Sequence, residues 1–547
     1  MAEGNSTPMG GRQAVLIVHG MGEQRPLDAL TGFVRAGLPP SSEGEEHFFS
    51  HPDIVTDSFE SRRFVARATD TRPQTEFFEY HWAHLMQGNR LGDLWPTIRR
   101  LLLKRPREVP EGLRGLWLVF WALIGLCVVA LCIAMVGLLP DQWSVPSKFL
   151  TGLPVTVLGT GVFAGLLTYL LTWAGKFIPG VLTNSFVDVV RYLDTSPRSY
   201  AARHEIRKGL VELLKRLHAS NYNGERRYQR VIIVAHSLGA YIAYDGISHL
   251  WGSMNNQGDK DATGDPDGLK ELAVAADKLR RNGSEESPEK QINDFQTAQY
   301  RLWRGLRAHG NPWLISDFIT AGTPMYFADL LYTRTHDKFT ERVQRHELPT
   351  CPPQKNAQSD DAGAENRPYS YPWDGRQVLH DEAPFAAVRW TNLWFPAVKN
   401  QRGFFRDYFG GALQPLFGNG IRDIPVEGNL NRGWKRWLPG YAHALYFKFP
   451  DDRERGSVTR YLDTYLALEG FRPPPTGKQI SYALCLLYRA GFPTTKMDRS
   501  HTELLVDGFL AERETVREWL RAMTRPQISA LITDLKQREE QPLSVTH

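Results

Sequence analysis

The stretch Arg230-Val-Ile-Ile-Val-Ala-His-Ser-Leu-Gly-Ala240 constrains the fold of this chain more than any other. It opens as a run of β-branched residues and turns at Ser237. It then continues into Tyr241-Ile-Ala-Tyr-Asp-Gly-Ile-Ser-His-Leu-Trp251, whose apolar residues recur at helical spacing. A strand, a tight turn and a helix, with the small residues Ala235, Gly239 and Ala240 around a serine, form a G-x-S-x-G-type nucleophile elbow with alanine in place of the first glycine. Small side chains are required there because the serine is held in a strained backbone conformation and its neighbours closely approach the adjacent strand and helix.

An elbow of this kind needs a sheet behind it, and the chain supplies one in pieces. Apolar or β-branched runs at 13–18, 76–82, 230–236, 313–320, 389–395 and 421–426 read as strands. Helical patterns separate them, the clearest being Ile206, Leu210, Leu213, Leu214 and Leu217 within 186–218. The expected fold class is therefore α/β, a doubly wound, mostly parallel sheet with helices on both faces. Two segments, 253–289 and 349–372, are polar or proline-rich and read as excursions from that sheet, the first with one helix near Leu269 to Arg281. Beyond the Arg472-Pro-Pro-Pro-Thr476 linker, residues 477–540 read as a C-terminal helical region.

Two apolar runs, Leu116 to Leu139 and Phe149 to Gly175, contain no charged residue, and each is long enough to cross a hydrocarbon layer of about 30 Å as a helix. They define an expected transmembrane hairpin within 99–180 that divides the sheet domain into 13–98 and 181–468. Arg99, Arg100, Lys104, Arg105, Arg107 and Arg114 precede the first run, whereas the short connector carries only Asp141 and Lys148. That asymmetry puts the sheet domain and both termini in the cytoplasm. Small residues one turn apart, in Ala130-Leu-Cys-Ile-Ala134 and Gly161-Val-Phe-Ala-Gly165, allow close packing within the hairpin or in a homo-oligomer. The polar N-terminus, Met1 to Arg12, lacks the apolar core of a cleavable signal peptide.

The formal net charge of +5 is small for 547 residues, and no basic block interleaved with aromatics occurs, so nucleic acid is not the expected partner. The four cysteines, Cys127, Cys132, Cys351 and Cys485, have neither disulfide-framework nor zinc-ligand spacing. His81 and His84 lack an accompanying carboxylate–histidine motif and read as aromatic packing, so no metal and no cofactor are expected.

A nucleophilic serine needs a base within hydrogen-bond reach, and the base needs an orienting carboxylate. In doubly wound hydrolases the order along the chain is serine, acid, histidine, each in the loop after a late strand. The first aspartate after the strand at 389–395 is Asp407, and the first histidine after the strand at 421–426 is His443. Asp423 is a rival acid that falls inside the last strand. Upstream, the strand at 13–18 runs into His19-Gly-Met-Gly22, where glycines permit backbone N–H groups to face a developing oxyanion.

With these residues in hand, the chain resembles the α/β-hydrolase superfamily, in its lipase and serine-esterase branch. The resemblance spans about Gln13 to Leu468 and rests on Val18-His-Gly-Met-Gly22, Val234-Ala-His-Ser-Leu-Gly-Ala240, Ala321-Gly-Thr-Pro324 and the ordered Asp407 and His443. It implies Ser237 as nucleophile, His443 as base, Asp407 as orienting acid, and the Met21 and Leu238 amides as oxyanion donors. The chain departs from the family in two ways. No antiparallel strands precede the first strand, and about eight extra residues, 398–405, separate Asp407 from its strand.

The expected function is a membrane-anchored serine hydrolase of carboxylic esters, with a lipid or acyl-ester substrate suggested by the anchor and by Trp82, Trp95, Trp390 and Trp394 as pocket-lining aromatics. A thioesterase or protein deacylase fits the same residues. A non-catalytic membrane scaffold, with partners bound through the hairpin or the C-terminal helices, is the alternative from another class.

Overall fold

The computed structural model describes residues 12–20, 27–38, 48–56, 61–69, 72–86, 442–446 and 477–493. It also describes most of 188–396, 407–426 and 516–540, and isolated positions between 99 and 128 and at 466 and 468. Eight strands form one sheet: β1 (Arg12–Val18), β2 (Phe48–Pro52), β3 (Arg62–Ala66), β4 (Gln74–Tyr80), β5 (Arg230–His236), β6 (Ile315–Ala321), β7 (Arg389–Trp394) and β8 (Arg422–Pro425). Their order is β8-β7-β6-β5-β1-β4-β3-β2. Every pairing from β8 to β4 is parallel, while β3 runs antiparallel to both β4 and β2.

The α/β class and the mostly parallel sheet follow from the apolar runs: β1 and β5 are buried on both faces, which is why their sequences are continuous rather than alternating. Alternate residues supply two cores. Leu16, Val18, Val231 and Ile233 face one layer; Val15, Ile17, Ile232 and Val234 face the other. The first layer is covered by α2 (Pro197–Ala219), α3 (Leu238–Met254), α4 (Leu269–Arg280) and α5 (Pro288–Ala308), and the second by α1 (Asp28–Gly37) through Leu30, Phe33 and Val34. At the C-terminal end, α6 (Gly477–Arg489), α7 (Val516–Ala522) and α8 (Arg525–Glu540) share a core of their own, with Leu486, Leu487, Leu520 and Leu531.

Three features differ from the sequence reading. The antiparallel strands missing ahead of β1 are present after it, as β2 and β3; β2 exposes four of its five residues, so no apolar pattern marks it. Helix α4 lies inside the supposed polar excursion, yet Leu269, Leu272, Ala276 and Leu279 are buried in the first core. Trp390 packs in that core against Phe318, Phe385 and Phe417 rather than lining a pocket. The two apolar runs of the expected hairpin lie outside the described residues, apart from positions between 117 and 128. Among the described residues, no helix is long and apolar enough to cross a membrane.

The parallel strands are locked at one end by an ion cluster. Asp317 on β6 is buried between Arg230 on β5, at 2.5 Å, and Arg389 on β7, at 2.7 Å. Burial alone would raise its carboxyl, but Arg389 and then Arg230 outweigh this and hold it at about 2. A carboxyl depressed in the folded state contributes stability that is present above its ordinary value of 3.8 and is lost as pH falls toward 2. The shift corresponds to about 2 kcal/mol. Asp317→Asn is expected to destabilise the protein by about 3 kcal/mol or more, because the buried charges of Arg389 and Arg230 lose the carboxylate between them. Denaturant melts across pH 2 to 7 check both parts: the variant should be weaker at neutral pH and flatter across the acid limb.

Candidate active site

The chain leaves β5 at His236, and Ser237 takes φ 55° and ψ −125°, a conformation that L-residues rarely adopt. Its neighbours permit this by being small. A Cβ on Gly239 would lie 2.3 Å from the Val18 carbonyl oxygen and 2.5 Å from that of His19, so α3 can start against the end of β1 only with hydrogen at this position. A Cβ on Gly20 would collide with the His236 ring and with Cβ of Ser237. The turn is held by the Ser237 amide, which donates to the Ala321 carbonyl at 3.0 Å.

Three side chains from three distant segments meet at this turn. Ser237 Oγ lies 2.8 Å from His443 Nε2, and His443 Nδ1 lies 3.0 and 3.2 Å from the two oxygens of Asp407. Since a carboxylate only accepts, Nδ1 carries the proton and Nε2 presents its lone pair to the serine hydroxyl. Asp407 is fully buried and fixed from other sides too: Oδ1 accepts the Phe409 amide at 2.8 Å, and Oδ2 accepts the Tyr446 hydroxyl at 2.8 Å. Tyr446 in turn accepts the Phe395 amide at 3.0 Å, which ties the carboxylate to the end of β7.

The rival acid is occupied elsewhere. Asp423 Oδ1 accepts from the Asn392 amide group at 2.7 Å, and its oxygens take the backbone amides of Leu413 and Gln414 at 2.8 Å. It organises the turn before β8, and burial raises its carboxyl despite those donors. Of the expected oxyanion donors, Leu238 opens α3 immediately after Ser237, so its amide has no partner within the helix and sits at the positive end of the helix dipole. Met21, the segment 398–405 and Trp95 lie outside the described residues.

Two further histidines line the site. His236 Nε2 donates to the His443 carbonyl at 3.1 Å, and the two rings are 4.7 Å apart. Burial, and then the neighbouring His443, hold His236 far below its ordinary pKa, so it is neutral and steadies the segment carrying His443. His19 is likewise lowered by burial, to about 4. Its ring stacks on Trp82 at 5.2 Å, and the Trp82 indole N–H donates to the His19 carbonyl at 3.0 Å, so Trp82 braces the end of β1 rather than lining a pocket. Sequence spacing could not single out Tyr446 or His236, because each acts through a partner more than 30 positions away.

Comparison of the chain with protein-family models, with curated proteins and with solved structures yields no match. The site is therefore read from its own geometry. A strained serine, hydrogen-bonded to a histidine that is itself bonded to a buried carboxylate, can transfer its proton as it attacks an electrophilic carbon or phosphorus centre.

The strain at Ser237 is itself measurable, since a positive φ costs a side-chain-bearing residue about 1–3 kcal/mol and glycine nearly nothing. Ser237→Gly should unfold at higher denaturant than Ser237→Ala, by about 1 kcal/mol after glycine's larger unfolded-state entropy is allowed for. A Ser237→Gly variant less stable than Ser237→Ala by about 1 kcal/mol, glycine's entropy cost alone, would mean that the turn carries no strain.

Proposed function

We propose that this protein is a serine hydrolase of the α/β-hydrolase type that cleaves a carboxylic ester of a lipid or acyl chain through an acyl-enzyme. The observation that carries the reading is the unbroken hydrogen-bonded line from Asp407 through His443 to a strained Ser237. Ser237 Oγ attacks the acyl carbon and its proton passes to His443 Nε2. The oxyanion is met by the Leu238 amide and, on the sequence reading, by that of Met21. Collapse expels the alcohol, which takes the proton from His443. Water then enters with His443 as base and releases the acid. Asp407 keeps the imidazole in the required tautomer and stabilises its cation.

The membrane half of the proposal, a hairpin anchor with the sheet domain on the cytoplasmic side, rests on the two uncharged apolar runs and their basic flank. It is supported by the described helical positions in the first run: Leu118, Trp121, Ile124 and Val128 expose large apolar side chains, as they would toward lipid.

A fluorophosphonate probe, which phosphorylates an activated serine and releases fluoride, should label the full-length protein in membranes and leave Ser237→Ala unlabelled; a wild type that resists the probe would sink the enzyme reading and favour a scaffold. On an ester substrate, Asp407→Asn should lower kcat by about 10³- to 10⁴-fold, while Asp423→Asn should spare kcat and lower stability instead. Tyr446→Phe removes one hydrogen bond to the buried carboxylate and should cost about tenfold in kcat.

A further inference from the structure

Beside the serine site, two adjacent parallel strands end in a cluster with the chemistry of a metal centre. Val18 is paired with Tyr80 at the ends of β1 and β4, so the next residue of each, His19 and His81, stand together with ring centroids 5.1 Å apart. One position further back in β4, Glu79 is paired with Ile17, on the sheet face that residues 19 and 81 also share. The ligand atoms of His19, Glu79 and His81 all lie within 4.8 Å of one another.

Two details go beyond mere proximity. The Glu79 side chain is only 6% exposed; Oε2 accepts the Leu27 amide at 2.8 Å, while Oε1 is buried with no hydrogen-bond partner. A buried carboxylate oxygen left without a donor is costly, and a bound cation removes that cost. His19 is set in the tautomer a metal requires. Its Nδ1 lies 2.9 Å from the Gly20 carbonyl, which can only accept, so Nδ1 carries the proton and Nε2 keeps a lone pair. Ligating histidines commonly donate their second N–H to a carbonyl in this way. Among the described residues, that lone pair meets the Trp82 amide at 3.4 Å, a long contact that a metal bond would replace.

We infer that His19, Glu79 and His81 form a site for a divalent transition-metal ion of the zinc class, with the remaining position taken by water. Two imidazoles and one carboxylate suit zinc, and disfavour calcium and magnesium, which take oxygen ligands. Bonds of about 2.1 Å around a tetrahedral ion separate ligand atoms by about 3.4 Å, so a cluster whose atoms lie within 4.8 Å of one another contracts by at most about 1.4 Å. His81 is half-buried, so the cluster lies within reach of solvent. The ion would staple the ends of β1 and β4 to the start of α1, through the Leu27 amide already bound to Glu79. None of this depends on the hydrolase reading, since the site shares no ligand with Ser237, His443 or Asp407.

The test uses the full-length, untagged protein, stripped with chelator and titrated calorimetrically with Zn²⁺ and, separately, with Co²⁺ followed by visible absorption. Wild type should bind one ion per chain and give the intense Co²⁺ bands of a four- or five-coordinate site. Glu79→Gln and His81→Gln should each weaken binding at least tenfold, while His336→Gln, at an exposed histidine elsewhere, should leave it unchanged. Failure of wild type to bind one equivalent, or binding undiminished in both cluster variants, overturns the inference. Should the variants fail to fold, the wild-type Co²⁺ spectrum decides, since the weak bands of hydrated cobalt would overturn it equally.

Discussion

The approach of α3 to the end of β1 is the contact on which the rest of the site depends. At Gly239 the helix backbone comes so near the carbonyls of Val18 and His19 that no side chain fits between them. That contact sets where the first turn of α3 lies over the sheet, and hence where the Leu238 amide and Ser237 Oγ stand. It also holds the chain just after β1 against the elbow, with Gly20 in the space between His236 and Ser237. The strain at Ser237 is tolerated because strand, turn and helix are each over-determined by packing: β5 is buried on every residue and α3 along most of its length.

Five imidazoles, those of His19, His81, His84, His236 and His443, gather at the sheet end, and that of His443 bonds to the buried carboxylate of Asp407. His19 and His236 are kept neutral by burial. At the other end of the same strands, Asp317 with Arg230 and Arg389 gathers full charges away from the serine. The two ends of these strands are thus chemically segregated, one holding fixed ion pairs and the other imidazoles kept uncharged by burial.

The parallel core was legible because burial on both faces leaves continuous apolar runs, and Ser237, His443 and Asp407 because their place after successive strands narrows the choice to a few residues. The eight-residue gap before Asp407 gave no hint that Tyr446, from the far side of β8, would clamp that carboxylate. β2 escaped notice since an edge strand that exposes four of its five residues carries little apolar pattern, and β3 because its buried run is only Phe64, Val65 and Ala66. His81 read as a packing residue because its visible neighbour was His84, with which it does stack, at 5.7 Å. His19 and Glu79 reach it only through strand pairing, which no local pattern records. Trp390 illustrates the converse: aromatic identity alone does not separate a pocket wall from a core.

The interleaved strand order has a temporal consequence. β1 is made first, yet its two sheet neighbours are β4 and, some two hundred positions later, β5. β6, β7 and β8 follow, and His443 lies beyond them all. A nascent chain therefore exposes one open edge of its central strand through the synthesis of the whole intervening segment, a condition that favours slow assembly and reliance on holding factors. It also means that an interrupted product carries Ser237 without His443: the hydrogen-bonded line closes only once the last fifth of the polypeptide has begun to emerge.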